Sequence, residues 1–171
     1  ARHMIADLNL GNGFRMGRNV GTPAQVEALT ASLQKLAFQQ TGIQLLIGTD
    51  QEGGEVQRLT DGFTLLPDAV TVGDADRPDL TRSYGKMVGD EMSAVGVNLD
   101  FAPVLDVNDN PNNPVIGPRS FVPQPDTVAR TGLAFAPGLP CAVSTGIGNP
   151  SPVPVPHSLH SPLTPTAVPT A

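Results

Sequence analysis

Leu45-Leu46-Ile47-Gly48-Thr49-Asp50-Gln51-Glu52-Gly53-Gly54-Glu55-Val56-Gln57-Arg58-Leu59 is the stretch around which the rest of the chain makes sense. An apolar run stops abruptly at a carboxylate, an amide and a second carboxylate, and two glycines then allow the backbone to turn without a Cβ penalty. A buried parallel strand delivers polar groups to its C-terminal edge in this way, and that edge is where ligands bind in parallel α/β folds. Asp50 is therefore the first candidate site residue. The plainer alternative is that Asp50 and Glu52 cap the next segment and open a turn, for purely local reasons.

On either side the pattern alternates helix and strand. Thr22-Pro23 offers a hydroxyl N-cap and a proline at the first helical position. Val26, Leu29, Leu33 and Leu36 follow at helical spacing, with Gln25, Glu27, Gln34 and Lys35 expected to face outward. That helix should end near Gly42 and feed a buried strand over Ile43 to Ile47. Asp79 to Gly96 reads as a second helix, with Leu80, Tyr84, Met87, Val88, Met92 and Val95 on one face. Val97 to Val107 then reads as a strand reaching a polar rim at Asp106, much as the first reaches Asp50. A third helix is expected from Asp126 to Leu139.

Upstream, Met4 to Leu10 suits the last turns of a helix stopping at Gly11-Asn12-Gly13, and Phe14 to Val20 a short strand. Gly11, Gly13 and Gly17 lack the spacing and the preceding strand of a dinucleotide loop, so a plain turn is expected there. Asp61-Gly62 reads as a turn and Leu65-Leu66-Pro67 as a short apolar loop. Asp106-Val107-Asn108-Asp109-Asn110 resembles the start of a calcium loop, but Pro111 stands where glycine is required and no glutamate follows at the twelfth place. Pro111 to Pro125 is a long loop of the kind that binds ligands, and Arg119 is its one cation.

Composition sets the outer bounds. The chain has 171 residues, enough for one core but short of the roughly 250 of a complete eight-stranded α/β barrel. A net charge of −6 without a Lys/Arg cluster argues against a nucleic-acid surface. One cysteine, Cys141, excludes an internal disulfide framework and offers no companion thiol for a metal. No cofactor or metal is implied. No apolar run reaches the roughly 20 residues of a membrane span. Ala1-Arg2-His3-Met4 is not followed by a signal-type apolar core, which favours the cytoplasm, while a first residue other than Met leaves an upstream segment, and so export, open.

From Thr131 to Ala171 there is no Asp, Glu, Lys or Arg, and half of the 18 prolines lie from Pro137 onward. Such a segment favours extended, polyproline-type conformations. The expected division is a domain over residues 1–139 and a disordered Pro-rich tail over 140–171. His157 and His160 lack a helix to align them and a third ligand, so no metal pair is read there.

Three ordered motifs bring a family into view. Thr49-Asp50-Gln51-Glu52-Gly53-Gly54-x-Val56-Gln57-Arg58, Leu99-Asp100-Phe101-Ala102-Pro103-Val104-Leu105-Asp106-Val107 and Ile116-Gly117-Pro118-Arg119-Ser120-Phe121 together resemble the first half of a glycoside hydrolase family 3 domain, in its β-N-acetylhexosaminidase branch. The resemblance runs from Leu8 to Leu139. It implies an α/β fold, the first three to four units of a TIM-type (β/α)8 barrel. It also implies a carbohydrate substrate with N-acetylglucosamine at the nonreducing end, with cell-wall or chitin-type oligosaccharides as the substrate class. Asp50 matches the family's sugar-binding aspartate, and Arg58 and Arg119 match its substrate-contacting arginines.

The departures are equally specific. Family members continue into Thr-Gly-Lys-His-Phe-Pro-Gly-His-Gly, an Asp-x-His acid/base dyad and, later, an aspartate nucleophile. Here Thr145-Gly146 is followed by Ile147-Gly148-Asn149-Pro150. The resemblance therefore implies a fragment that holds part of a substrate site without its acid/base or nucleophile, its tail read as an out-of-frame product. The alternatives are a noncatalytic carbohydrate- or partner-binding domain and an unrelated α/β domain. An incomplete parallel sheet also leaves an unpaired edge, through which self-association is expected.

Overall fold

The structure, a computed structural model, describes residues 2–8, 10–15 and 20–138. The expected tail, with Cys141, Thr145-Gly146, His157 and His160, lies outside the described residues, as does the junction at 139. Within them the order is α1 (Arg2–Ala6), β1 (Asn12–Arg15), α2 (Pro23–Thr41), β2 (Leu46–Thr49), β3 (Gln51–Gly53), β4 (Val56–Gln57), α3 (Ala69–Ala75), α4 (Pro78–Ala94), β5 (Leu99–Asp100) and α5 (Pro125–Phe135). Short 3-10 turns cover Gly117–Arg119 and Ala136–Gly138.

Three strands form a parallel sheet in the order β1-β2-β5. The register pairs Asn12 with Leu46 through Arg15 with Thr49 on one side, and Gly48 with Leu99 and Thr49 with Asp100 on the other. Helices fill the connections, as parallel strands require. This is the α/β alternation expected from the sequence.

The strand boundaries differ from expectation. β2 lies over Leu46–Thr49 rather than Ile43–Ile47, and Ile43 is 70% exposed. The reason lies in Gln34, which does not face outward: its amide donates to the Leu45 carbonyl at 3.0 Å and accepts from the Leu45 N–H at 2.8 Å. Those two bonds occupy Leu45, so the ladder begins one residue later. Asn98 does the complementary job at the other edge, donating to the Leu45 carbonyl at 3.0 Å and accepting from the Ile47 N–H at 2.7 Å. Two side-chain amides thus act as surrogate backbone at the start of the central strand.

The strand expected over Val97 to Val107 is paired only at Leu99–Asp100, and the chain beyond runs without regular structure. Pro103, which has no N–H to give a ladder, stands three residues further on. Likewise the strand expected at Phe14 to Val20 begins at Asn12, so Gly13 sits in β1 instead of a plain turn; residues 16–19, with Gly17, lie outside the described residues.

The helices α2 and α4 follow their sequence signals closely, whereas α1 ends at Ala6, short of the expected Leu10, and α5 ends at Phe135, a 3-10 turn standing where helix was expected on toward Leu139. Thr22 is the N-cap of α2 with Pro23 at its first position, and the Gly42 N–H donates to Phe38 at the far end. Pro78 opens α4 and Pro125 opens α5 in the same manner. The core joins Val26 and Ala37 of α2, Leu45 just before β2, Ile47 of β2, Leu59, Val88 and Met92 of α4, Val95, Val97 and Phe135. Each such fully buried aliphatic side chain contributes about 1.5–3 kcal/mol relative to exposure. Leu29 of the expected α2 stripe is 39% exposed, and Thr30 is buried in its place. Its hydroxyl donates to the Val95 carbonyl at 2.6 Å, tying α2 to the end of α4.

Candidate functional site

Everything chemical gathers where the central strand ends. After Thr49 the chain does not turn into a helix: Asp50 leads into β3, which pairs antiparallel with β4 in a two-stranded ribbon. Gly53 makes the reversal possible, with φ of 94°. A Cβ there would also overlap the Pro67 carbonyl oxygen, so conformation and close approach both demand glycine.

Two glutamines of the motif fix this ribbon. Gln51 is buried, and its carbonyl accepts from the Arg58 N–H at 3.2 Å and the Leu59 N–H at 3.0 Å while its amide donates to the Leu59 carbonyl at 2.9 Å. Gln57 donates to the Leu59 and Thr64 carbonyls at 3.0 and 2.7 Å and accepts from the Leu66 N–H at 3.0 Å. The loop from 51 to 66 is thereby tied down along its length. Arg58 consequently stands beside Asp50, with Nη2 3.3 Å from the carboxylate; its Nε is buried and has no acceptor among the described residues.

Asp50 and Glu52 are two residues apart in extended chain and so share a side. Glu52 is the deeper of the two, its side chain 6% exposed against 22% for Asp50. It receives Arg119 through two bonds of 2.8 Å, Nε to Oε2 and Nη2 to Oε1. Arg119 comes from the 3-10 turn at Gly117–Arg119, 67 residues along the chain. Ser120 anchors that turn by donating to the Asp106 carbonyl at 2.6 Å. The Glu52 hydrogen bonds raise the Arg119 pKa above its ordinary value, and the charges of Glu52, Asp50 and Asp106 add to this against burial.

Asp50, Arg58 and Arg119 are thus brought to one end of the sheet in a single charged cluster. Arg119 is not a solvated loop cation, since Glu52 holds it. Asp106, expected at the rim like Asp50, is instead buried beneath the Arg119 turn. Among the described residues no group of three or more His, Cys, Asp or Glu is placed to hold a metal ion, and no helix is long and apolar enough to cross a membrane.

The reading of the sequence passed over Glu52 as more than a capping or turn residue, and over the tethering role of Gln51 and Gln57. The alternation Asp50-x-Glu52 was the available signal. Asp100, part of the second motif, was given no role of its own. That side chain is fully buried, and its Oδ1 accepts the Gln51 N–H at 3.0 Å while Oδ2 has no partner among the described residues. Burial pushes its pKa up to about 7, against the hydrogen bonds from Gln51 and Phe101, and the neighbouring charges of Asp50 and Glu52 add to the rise.

Comparison with known proteins gives this cluster a setting. The glycosyl hydrolase family 3 N-terminal domain matches residues 1–148. A β-hexosaminidase of Nitrosomonas eutropha is 41% identical over 145 residues, which is 81% of this chain and 40% of the relative. A family 3 β-N-acetylglucosaminidase from Paenibacillus sp. FPU-7 superposes with a TM-score of 0.79 at 40% identity, covering 81% of this chain and 26% of that one. NagZ from Neisseria gonorrhoeae, solved in complex with N-trifluoroacetyl-D-glucosamine, gives a TM-score of 0.74 at 36% identity over 81% of this chain and 41% of its own. The chain spans less than half the length of each of these relatives.

Proposed function

This chain belongs to the glycosyl hydrolase family 3 N-terminal domain family, and from that premise we propose that its charged cluster is the sugar-holding part of a β-N-acetylhexosaminidase site. Asp50 accepts hydrogen bonds from ring hydroxyls of a terminal N-acetylglucosamine, and Arg58 and Arg119 donate to the same residue. The observation that carries this reading is the Asp50–Arg58 pair at the C-terminal end of the central strand, 3.3 Å apart and part-exposed, with the buried Arg58 Nε without an acceptor among the described residues. Rigid donors beside a carboxylate suit a hydroxyl-rich ligand, because a site built this way rejects ligands that leave its polar groups unpaired.

The whole-protein reaction in this reading is hydrolysis of terminal β-linked N-acetylhexosamine from cell-wall or chitin-type oligosaccharides. The fold in this reading is the opening section of a (β/α)8 barrel, its three parallel strands each followed by helix, over residues 1–139, with 140–171 a separate tail. Retaining glycoside hydrolysis needs a nucleophile and an acid/base on opposite sides of the scissile bond. None of the 171 residues matches the family's pattern for either role, so the chain binds sugar without turning it over. The outer edges of β1 and β5, unpaired among the described residues, supply a route to self-association.

The deciding experiment is titration of the 171-residue chain with N-acetylglucosamine by calorimetry, beside an assay on a chromogenic β-N-acetylglucosaminide. Saturable binding lost in Asp50→Asn, with no hydrolysis above background, is expected. Robust hydrolysis abolished by Asp50→Ala would overturn the assignment of catalysis to residues outside this chain.

A further inference from the structure

Glu52 faces Arg119 in a way that leaves a defined remainder. A guanidinium has five N–H donors in a planar fork. Glu52 takes one from Nε and one from Nη2, both at 2.8 Å, in the side-on arrangement. The Val115 carbonyl takes one from Nη1 at 3.3 Å. One N–H on Nη1 and one on Nη2 remain over from these three bonds. Donors left on one planar fork suit hydroxyl oxygens of one ligand.

The same contact settles charge. Arg119 would, alone, attract anions to the strand ends; paired with a buried carboxylate it presents donors with its charge compensated. The fold spends structure on this pair. Its members come from the β3 ribbon and from a 3-10 turn that Ser120 separately ties to Asp106.

We propose that Glu52 is a positioning and specificity residue: it fixes the Arg119 guanidinium so that its remaining donors serve sugar hydroxyls, and makes the site select a neutral sugar over an anionic one. This rests on the sugar-site reading above. Glu52 itself does not touch the ligand.

The test compares Kd for N-acetylglucosamine and for D-glucuronate in the wild-type chain, Glu52→Gln, Glu52→Asp and Asp50→Asn. Glu52→Gln is expected to weaken N-acetylglucosamine by about tenfold and to shift the ratio of the two affinities toward glucuronate by a similar factor, with Glu52→Asp intermediate. A purely structural role would weaken both ligands alike, and that outcome overturns the proposal. So does an unchanged ratio in Glu52→Gln when Asp50→Asn has lost binding, which leaves the sugar site standing and removes only the role of Glu52. A wild-type chain that binds no N-acetylglucosamine overturns both. Should the Glu52 variants fail to fold, the wild-type chain gives the answer by NMR. A discrete Arg119 Nε–H signal persisting at pH 7 supports the clamp, and its averaging with exposed arginines such as Arg82 overturns it.

Discussion

Asp100 and Gln51 meet across the β2–β5 junction, where the buried carboxylate Oδ1 accepts the Gln51 backbone N–H at 3.0 Å. The bond places an ionisable group directly beneath the stretch that carries Asp50 and Glu52, with the second oxygen unpartnered among the described residues.

Stability should therefore fall as pH rises through the weakly acidic range. The Asp100 pKa is pushed up from 3.8 to about 7 by burial. Between those values the folded state keeps a proton that the unfolded chain has lost, so the slope of unfolding free energy against pH is negative there and flattens above about 7. A shift of this size is worth at most on the order of 4 kcal/mol. Urea unfolding at pH 5, 6, 7 and 8 should show the decline, and Asp100→Asn should remove most of it.

Gln51→Ala should destabilise the chain more than any substitution of an exposed residue. It strips the acceptor from the Leu59 N–H and one of two acceptors from the Arg58 N–H, which keeps the Asp50 carbonyl at 3.2 Å, while the Leu59 carbonyl keeps the Gln57 amide at 3.0 Å. An unsatisfied buried group of this kind costs about 1–3 kcal/mol. A drop of about 1–3 kcal/mol in unfolding free energy is expected by urea titration, together with weaker sugar binding because Arg58 is held less firmly.

Asp50→Asn should separate binding from stability. Asp50 and Arg58 are both part-exposed, so the ion pair itself stabilises the fold by less than about 1 kcal/mol. Its charged acceptors, however, are worth about 1.5–3 kcal/mol each to a hydroxyl ligand. The unfolding midpoint should move little while N-acetylglucosamine affinity falls by about tenfold or more, read by calorimetry.

Gly85→Ala tests the packing of α4 on α5. An added Cβ would overlap the Phe135 carbonyl oxygen, a backbone atom that cannot swing aside. Separation of the two helices should cost about 1–3 kcal/mol, measured by thermal or urea unfolding. Ligand affinity should change much less, since neither helix carries a site residue.

The helices α2 and α4 and the start of α5 were legible because their signals are local. Thr22-Pro23, Pro78 and Pro125 each mark a first turn, and Gly42 marks an end. Asp50 was a candidate because an apolar run stopping at a carboxylate is itself a local pattern, whereas Arg58 was named only through the family resemblance. Glu52 was not, since its role depends on an arginine 67 residues away that no spacing rule connects to it. Strand limits failed for a related reason: Gln34 and Asn98 bond Leu45 through side chains, and a hydropathy pattern sees only apolar residues running on to Ile43. The helix α3 was missed because Ala69-Val70-Thr71-Val72 is rich in β-branched residues. Its own signal was present at Asp68, whose carboxylate accepts the Thr71 N–H at 2.9 Å and caps the first turn.

The position of β2 between β1 and β5 separates recognition from assembly. Asp50 hangs from a strand already paired on both sides, whereas any further strand must add at an outer edge, remote from its backbone. Growth or loss of sheet beyond those edges leaves the Asp50 carboxylate where it is.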